Sequence, residues 1–538
     1  MVGTVQISIF NDVIGPVMRG ASSSHCAAAL RIGRLARDLA GGEITSVLVE
    51  FDLAGSLPTT HETQGSDMGL CGGLLGWDAT DDRLPDSPRW LRDAGVRLDF
   101  AIVDVHDPHP NTYRLTLRGT RGESSLIAVS TGGGMIEVNR LDAFPVSIAG
   151  DYFETLIFID DREGAAERLK ERLAEREPGA DVLVHRAAGK ALLQVRGGSF
   201  LDEAVVAALR PIAPGLDVRR LAPVLPVLSR PGIAMPFETC EGLLRHDAGR
   251  GIPLWKWAVA YEMERGSLTE DDVVARMVEI VRVLRRSIAQ GIEGTHYDDR
   301  LLGHQSGAFK KRMEEGRLVN AGAVNRAVLY TTALMEMKSA MGIIVAAPTA
   351  GACAALPAAC IAVAEDMGLS EEDMARAMLA AGLVGVFIAS QWTFAAEVGG
   401  CQAEGGAAAA MAAAAVVTLQ EGTLSQAVAS SSLAFQAMLG LICDPVASRV
   451  EAPCLSKNVL AASHAIASAN MALAGFDPLI PFDEVVDAAR RVGNQMPREL
   501  RCTALGGLAT TPTSLRLQGE LAARWAARQR TIRRPGQG

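Results

Sequence analysis

Gly399-Gly-Cys-Gln-Ala-Glu404, the alanine-rich run after it, and the closing strings Cys443-Asp-Pro-Val446 and Ala452-Pro-Cys454 form the stretch on which the reading of this chain turns. Three cysteines, Cys401, Cys443 and Cys454, fall in one Ala/Gly-rich segment, 42 and 11 positions apart. Thiolates are the ligands that iron-sulfur clusters select. Cys443 and Cys454 each stand close to a proline (Pro445, Pro453) and Cys401 follows two glycines. That pattern predicts turns rather than helix middles, where thiols can point to a common centre. The bland reading stands beside it: three cysteines in a helical domain also serve as three buried small hydrophobes.

Working outward, nearly everything from residue 237 to 518 reads as helix, with alanine, leucine and glycine allowing close packing and few β-branched runs. A proline-rich junction, Pro223 to Pro236, precedes it. Residues 519–538 form a basic tail (Arg524, Arg528, Arg530, Arg533, Arg534), expected to be an exposed helix with a frayed end. Met341 to Ala364 and Ala380 to Ala396 carry no charged residue and are long enough by count to cross a bilayer. The first, however, contains Pro348, Gly351 and Pro357 and has neither basic flanks nor an aromatic belt. Helices buried on all sides of a large domain show the same pattern, so no membrane is expected.

Residues 1–148 alternate strand-like runs (Val5 to Phe10, Ser46 to Phe51, Arg97 to Val105, Tyr113 to Arg118, Ser125 to Ser130) with helical ones such as Ala27 to Ala40, an α+β domain. Its loops carry polar clusters: Gly20 to His25, Gly55 to Asp67, His109 to Thr112 and Ser130 to Gly134. Glycine and hydroxyl residues at strand ends let backbone amides approach an anion, although turn chemistry alone also accounts for any single loop. Residues 151–222 read as strand, helix, strand, strand, helix, strand, a ferredoxin-like sandwich. The fold class expected is therefore multidomain: an α+β N-terminal domain, a βαββαβ middle domain and a mostly all-α C-terminal catalytic domain.

The totals agree with such an enzyme. At 538 residues the chain suggests roughly two to four domains. A net charge of -10 offers no basic field for nucleic acid or an anionic bilayer. The start lacks a basic n-region and a long apolar h-region, so no secretion signal is expected. Nine cysteines, an odd number scattered along the chain, point to a reducing compartment, hence the cytoplasm, rather than a disulfide framework. No P-loop, dinucleotide fingerprint, zinc CxxC pair or Gly-x-Ser-x-Gly elbow occurs.

Ala346-Ala-Pro-Thr-Ala-Gly-Ala-Cys353, Gly400-Cys-Gln-Ala-Glu404, Cys443-Asp-Pro-Val446, Pro453-Cys454 with Asn458, and Ala504-Leu-Gly-Gly-Leu-Ala509 together resemble the α domain of the iron-sulfur L-serine dehydratases. The Ser22-Ser-Ser-His25, His109-Pro-Asn-Thr112 and Gly132-Gly-Gly134 strings resemble the β domain of that family, in the same order, and residues 151–222 its ACT-type regulatory domain. The resemblance implies that Cys401, Cys443 and Cys454 hold a 4Fe-4S cluster whose fourth iron is open to the substrate hydroxyl. It implies Ser22, Ser23, Ser24, His25, Asn111, Gly132 and Gly133 as holders of a small amino-acid substrate. It further implies an amino-acid effector at the middle domain and a homo-oligomer, with L-serine dehydrated and deaminated to pyruvate and ammonia.

Departures from the family matter. Where it has a histidine read as the base, this chain has Gln64, which cannot take a proton at neutral pH. His61, three residues earlier, can substitute if the loop is re-threaded, or is an exposed loop residue; both readings stand. Cys26 and Cys502 replace the family's threonine and glutamate and read as harmless small residues. Two rivals follow: a related lyase for another small hydroxy or thiol amino acid or hydroxy acid, and a catalytically inactive amino-acid-binding regulator.

Overall fold

A strand is expected over Val5 to Phe10, yet Ile9–Val13 forms a wide, π-type helical turn. Ser8 makes the difference: its Oγ accepts from the backbone N–H groups of Phe10 and Asn11, while the Asp12 carboxylate accepts from Ser8 N at 2.8 Å. A short apolar run does not by itself separate a buried turn from a strand, and this cap exchange decides it. The computed structural model describes residues 6–162, 164–230 and 232–532. It divides into two units: Gln6, Ser24–Ala234 and Arg265–Ser267 in one, Ile7–Ser23, Met235–Glu264 and Leu268 onward in the other.

The second unit is helical. It includes β1 (Val17–Met18), which pairs antiparallel with Ile344–Val345. Its centre is the helix Ala407–Leu419, buried along nearly its whole length, against which Ala355–Asp366, Glu371–Gln391, Leu424–Gln436 and Ala452–Leu473 pack. Alanine side chains let these backbones approach closely. Three helices of the unit open with reciprocal capping pairs, Thr269/Asp272, Ser370/Asp373 and Thr423/Gln426. Glu371–Gln391 and Gln402–Leu419 are apolar and long enough to cross a membrane, but 78% and 89% of their apolar windows are buried inside the protein. They are core helices. The helix Pro512–Ile532 runs into the basic tail; Arg533 and Arg534 lie outside the described residues.

The first unit is built on sheets. β2 (Ile44–Asp52) pairs parallel with β3 (Arg97–Val103) and antiparallel with β4 (Thr112–Gly119), and β5 (Gly122–Gly132), β6 (Met135–Leu141) and β7 (Phe144–Ile148) continue the sheet in order. Helix α1 (Ala28–Ala40) precedes β2, and α2 (Leu57–Thr60) and α3 (Ser66–Leu74) follow it, α1 and α3 in mutual contact. β8 (Phe153–Asp160), β9 (Asp181–Ala187), β10 (Lys190–Gly197) and β11 (Asp217–Leu221), with helices Ala165–Arg176 and Glu203–Leu209 between them, make a second, antiparallel sheet of order β11-β8-β10-β9. This is the ferredoxin-like arrangement. Its alternating residues serve two cores: Leu156, Leu192 and Leu221 join that of the six-stranded sheet, whereas Ile157, Leu193 and Val195 pack under its own helices.

Candidate active site

In the helical unit the turn at Gly400 sets the position of Cys401. Its φ of 71° is left-handed, and a Cβ there would stand 2.9 Å from the Leu441 carbonyl oxygen, so a side chain is excluded twice over. Gln402, wholly buried, binds Gly440–Cys443 alongside: its N donates to Leu441 O at 2.9 Å, its Oε1 accepts from Gly440 N at 2.9 Å, and its Nε2 reaches Ala489 O. Cys443 in turn makes a one-residue β-bridge, its N donating to Leu500 O and its O accepting from Cys502 N at 3.1 Å. The result is one packed cluster of Cys401, Cys443, Cys502 and Ala396, capped by Leu441. The Cys443 thiol stands in hydrogen-bond contact with Cys401 on one side and Cys502 on the other.

Cys454 is placed differently from the expected turn. It lies in the first turn of the helix Ala452–Leu473, with Pro453 at the helix start, where a missing N–H costs nothing and the fixed φ favours the helix. It is buried and electrostatically coupled to Cys401, but outside the contact cluster. Asn458, one turn on, donates through Nδ2 to Cys454 O and Gly351 O and accepts through Oδ1 from Ala354 N and Ala355 N. It thereby pins the Pro348–Ala355 loop beside the thiols.

Lysine and glutamate side chains act on these sulfurs from both signs of charge. Lys457 Nζ donates to Asp444 Oδ1 at 2.6 Å and Ile442 O at 2.7 Å and stands 3.7 Å from Cys401 Sγ. The Cys443 hydrogen bond and burial hold the Cys401 thiol well above its ordinary range, and burial pushes Cys454 up to about 12. For Cys502 the Cys443 hydrogen bond pulls downward, and burial outweighs it, leaving about 11. Such thiols ionise only when a cation arrives, which is how metal uptake couples to proton release. Among the described residues no three His, Cys, Asp or Glu side chains converge as a ready site for a single ion. The candidate donors instead are buried soft thiols, which suit a sulfide-bridged iron cluster better than a lone hard cation.

Glu404, one helical turn beyond Cys401, is the group that sequence reasoning quotes without a role. Burial, then the neighbouring Glu397, raise its carboxyl to about 7, although it keeps partial access to solvent. Thr349 Oγ1 donates to it at 2.8 Å, and a Cβ at Gly351 would sit 2.8 Å from its Oε1. The i, i+3 spacing from Cys401 is the signal that could have found it.

The loop residues read as substrate holders divide between the units: Ser22 and Ser23 belong to the helical unit, Ser24 and His25 to the sheet unit. Ser23 Oγ accepts from Ala350 N at 3.2 Å. His25 Nε2 and Thr60 Oγ1 share a hydrogen bond of 2.9 Å, and burial, reinforced by His61, lowers the imidazole to about 3, keeping it neutral. His61 Nδ1 meets Asp67 Oδ1 at 2.7 Å, with the ring stacked on Phe100. Gln64 is 1% exposed and its Nε2 has no partner, an orphaned buried donor. Asn111 Oδ1 accepts from Ser56 Oγ, joining two of the polar loops. Gly132 ends β5 and Gly133 opens the β5–β6 turn, both at positive φ.

Residues 249–509 match the family model described as Serine dehydratase alpha chain, a span that holds Cys401, Cys443, Cys454 and Cys502. The Probable L-serine dehydratase, alpha chain, of Bacillus subtilis is 38% identical over 285 residues, 53% of this chain and 95% of its own length. The chain belongs to the serine dehydratase family. By that membership it is a lyase. The Probable L-serine dehydratase, beta chain, of the same organism is 38% identical over 168 residues, 31% of this chain and 75% of its own. The L-serine dehydratase of Streptomyces coelicolor is 28% identical over 508 residues, 93% of this chain and 97% of its own, so this serine dehydratase carries in one chain a layout present in a single-chain relative.

Proposed function

We propose that this serine dehydratase converts L-serine to pyruvate and ammonia with an iron-sulfur cluster held by Cys401, Cys443 and Cys454. The observation that supports the reading is that Cys401, Cys443 and Cys454 are all buried in the helical unit, with Glu404 one turn beyond Cys401. When bound, a four-iron four-sulfur centre supplies a Lewis acid for the substrate hydroxyl. The protein's own groups do the rest. Glu404, about half protonated at neutrality, holds the proton that a departing hydroxyl requires at its carboxyl oxygen. Asp67 fixes the His61 tautomer with the proton on Nδ1, leaving Nε2 to take the Cα proton. The dense alanine packing around Cys401 excludes water, which strengthens these electrostatic contacts. Ser22, Ser23, Ser24, His25, Asn111, Gly132 and Gly133 are proposed as holders of the substrate. The aminoacrylate released tautomerises to an imine, which water hydrolyses. The same proposal includes an amino-acid effector at residues 151–222, a homo-oligomer and a cytoplasmic setting.

Gln64 favours a second reading, a neighbouring lyase for another small hydroxy or thiol amino acid, because a donor stands where the family has its histidine. Anaerobic reconstitution with iron and sulfide followed by assay with L-serine separates the two. Pyruvate and ammonia in equal amounts support the first reading. Brown protein that turns over another such substrate and leaves serine untouched supports the second.

A further inference from the structure

We propose that Lys457 is a positioning residue of the sulfur centre, its ammonium donating a charge-assisted hydrogen bond to the Cys401 thiolate that raises the reduction potential of the cluster. The inference rests on the iron-sulfur reading above. A lysine ammonium has three N–H donors and no acceptor. Here each donor has an acceptor in reach: Asp444 Oδ1 at 2.6 Å, Ile442 O at 2.7 Å and Cys401 Sγ at 3.7 Å. The two oxygens fix the ammonium, and the third donor is left to the sulfur.

The lysine is held from both ends. It lies on the helix Ala452–Leu473, one turn beyond Cys454, so a single rigid element carries one proposed cluster ligand and the donor to another. Asp444 is clamped in turn: its Oδ2 accepts from Leu508 N at 2.9 Å, and a Cβ on Gly507 would stand 2.7 Å from the same oxygen. The Lys457 and Asp444 side chains are 16% and 5% exposed, so water competes little for the pair. Hydrogen bonds to the sulfurs are among the levers that set an iron-sulfur potential. One donated by a cation draws electron density from the thiolate and favours the reduced, more negative cluster. It adds no ligand to iron, so three cysteines still leave one iron open to the substrate hydroxyl.

The test uses the full-length chain, reconstituted anaerobically, with iron counted and the cluster titrated against ambient potential by electron paramagnetic resonance. Lys457→Met keeps the reach of the side chain and removes its charge and donors. It is expected to bind as much iron as wild type and to lower the reduced-to-oxidised ratio at a fixed ambient potential about tenfold, a downward shift of about 59 mV for one electron. A Lys457→Met cluster that titrates with the wild type overturns the proposal. Wild-type protein grown on lysine carrying the heavy nitrogen isotope gives a second readout. Its reduced cluster should show a hyperfine coupling to a lysine nitrogen, and absence of that coupling overturns the proposal whether or not the variant folds. Wild type that takes up no cluster brings down the iron-sulfur reading and this inference together, an outcome distinct from both.

Discussion

Glu154→Gln tests a carboxyl in the sheet unit that burial holds protonated. Glu154, on β8, is 2% exposed; Gln194 Nε2 donates to both its carboxylate oxygens at 3.2 Å, and Gln194 Oε1 is itself engaged by His185 Nε2 at 2.9 Å. Arg196 pulls the carboxyl down from longer range, and Asp151 and Asp181 push it up. Burial dominates and lifts it from 4.5 to about 8. The folded chain therefore keeps, between those values, a proton that the unfolded chain releases. The sign follows: this group's contribution is complete below pH 4.5 and drains away as pH rises toward 8. At 1.36 kcal/mol per pKa unit, the interval from 4.5 to 7 amounts to about 3 kcal/mol at pH 7, against under about 1 kcal/mol at pH 5. Glutamine offers Gln194 the same acceptor without the charge. The variant should thus gain about 3 kcal/mol at pH 7, raising the melting temperature of a unit this size by about 6–12 °C. Scanning calorimetry of the full chain from pH 5 to 8 measures it. A difference independent of pH, or a variant less stable at pH 8, refutes the reasoning.

Glu404→Gln should lower kcat by about 10²–10⁴ and remove an activity loss centred near pH 7 on the basic side, with the visible absorbance of the reconstituted protein unchanged. A pH–rate profile of the two proteins decides it, and an unaltered basic limb removes Glu404 from the role of proton donor. His61→Ala should cost a similar factor, about 10²–10⁴ in kcat, again with the colour intact; full activity would exclude His61 as the base.

The ferredoxin-like sheet is legible in the sequence because short apolar strand runs are interleaved with two helical stretches and its turns are punctuated by glycine. The cap that turns Ile9–Val13 into a helix is a four-residue exchange between Ser8 and Asp12, present in the sequence but outweighed by the apolar run beside it. Cys502 is read from the sequence as a small residue because nothing along the chain links positions 443 and 502. Their juxtaposition exists only through a backbone bridge between distant segments. Glu404 lies in a quoted motif, yet its raised carboxyl depends on Glu397 and on the burial that tertiary packing supplies. Pro453 illustrates the opposite error: a proline taken as a breaker lies in the first turn of a helix.

The N-terminal segment Ile7–Ser23 has a consequence for how this protein can be divided. Ile9 and Val13 occupy hollows that Gly382 and Gly385 leave on the helix Glu371–Gln391; a Cβ at either glycine would lie 2.4 or 2.1 Å from them. Burying two such side chains contributes about 1.5–3 kcal/mol each. A fragment cut at the proline-rich junction would lose this insert while leaving its socket open. The helical half therefore behaves as the larger partner of a split protein, and a peptide of residues 7–23 is the piece that would complete it.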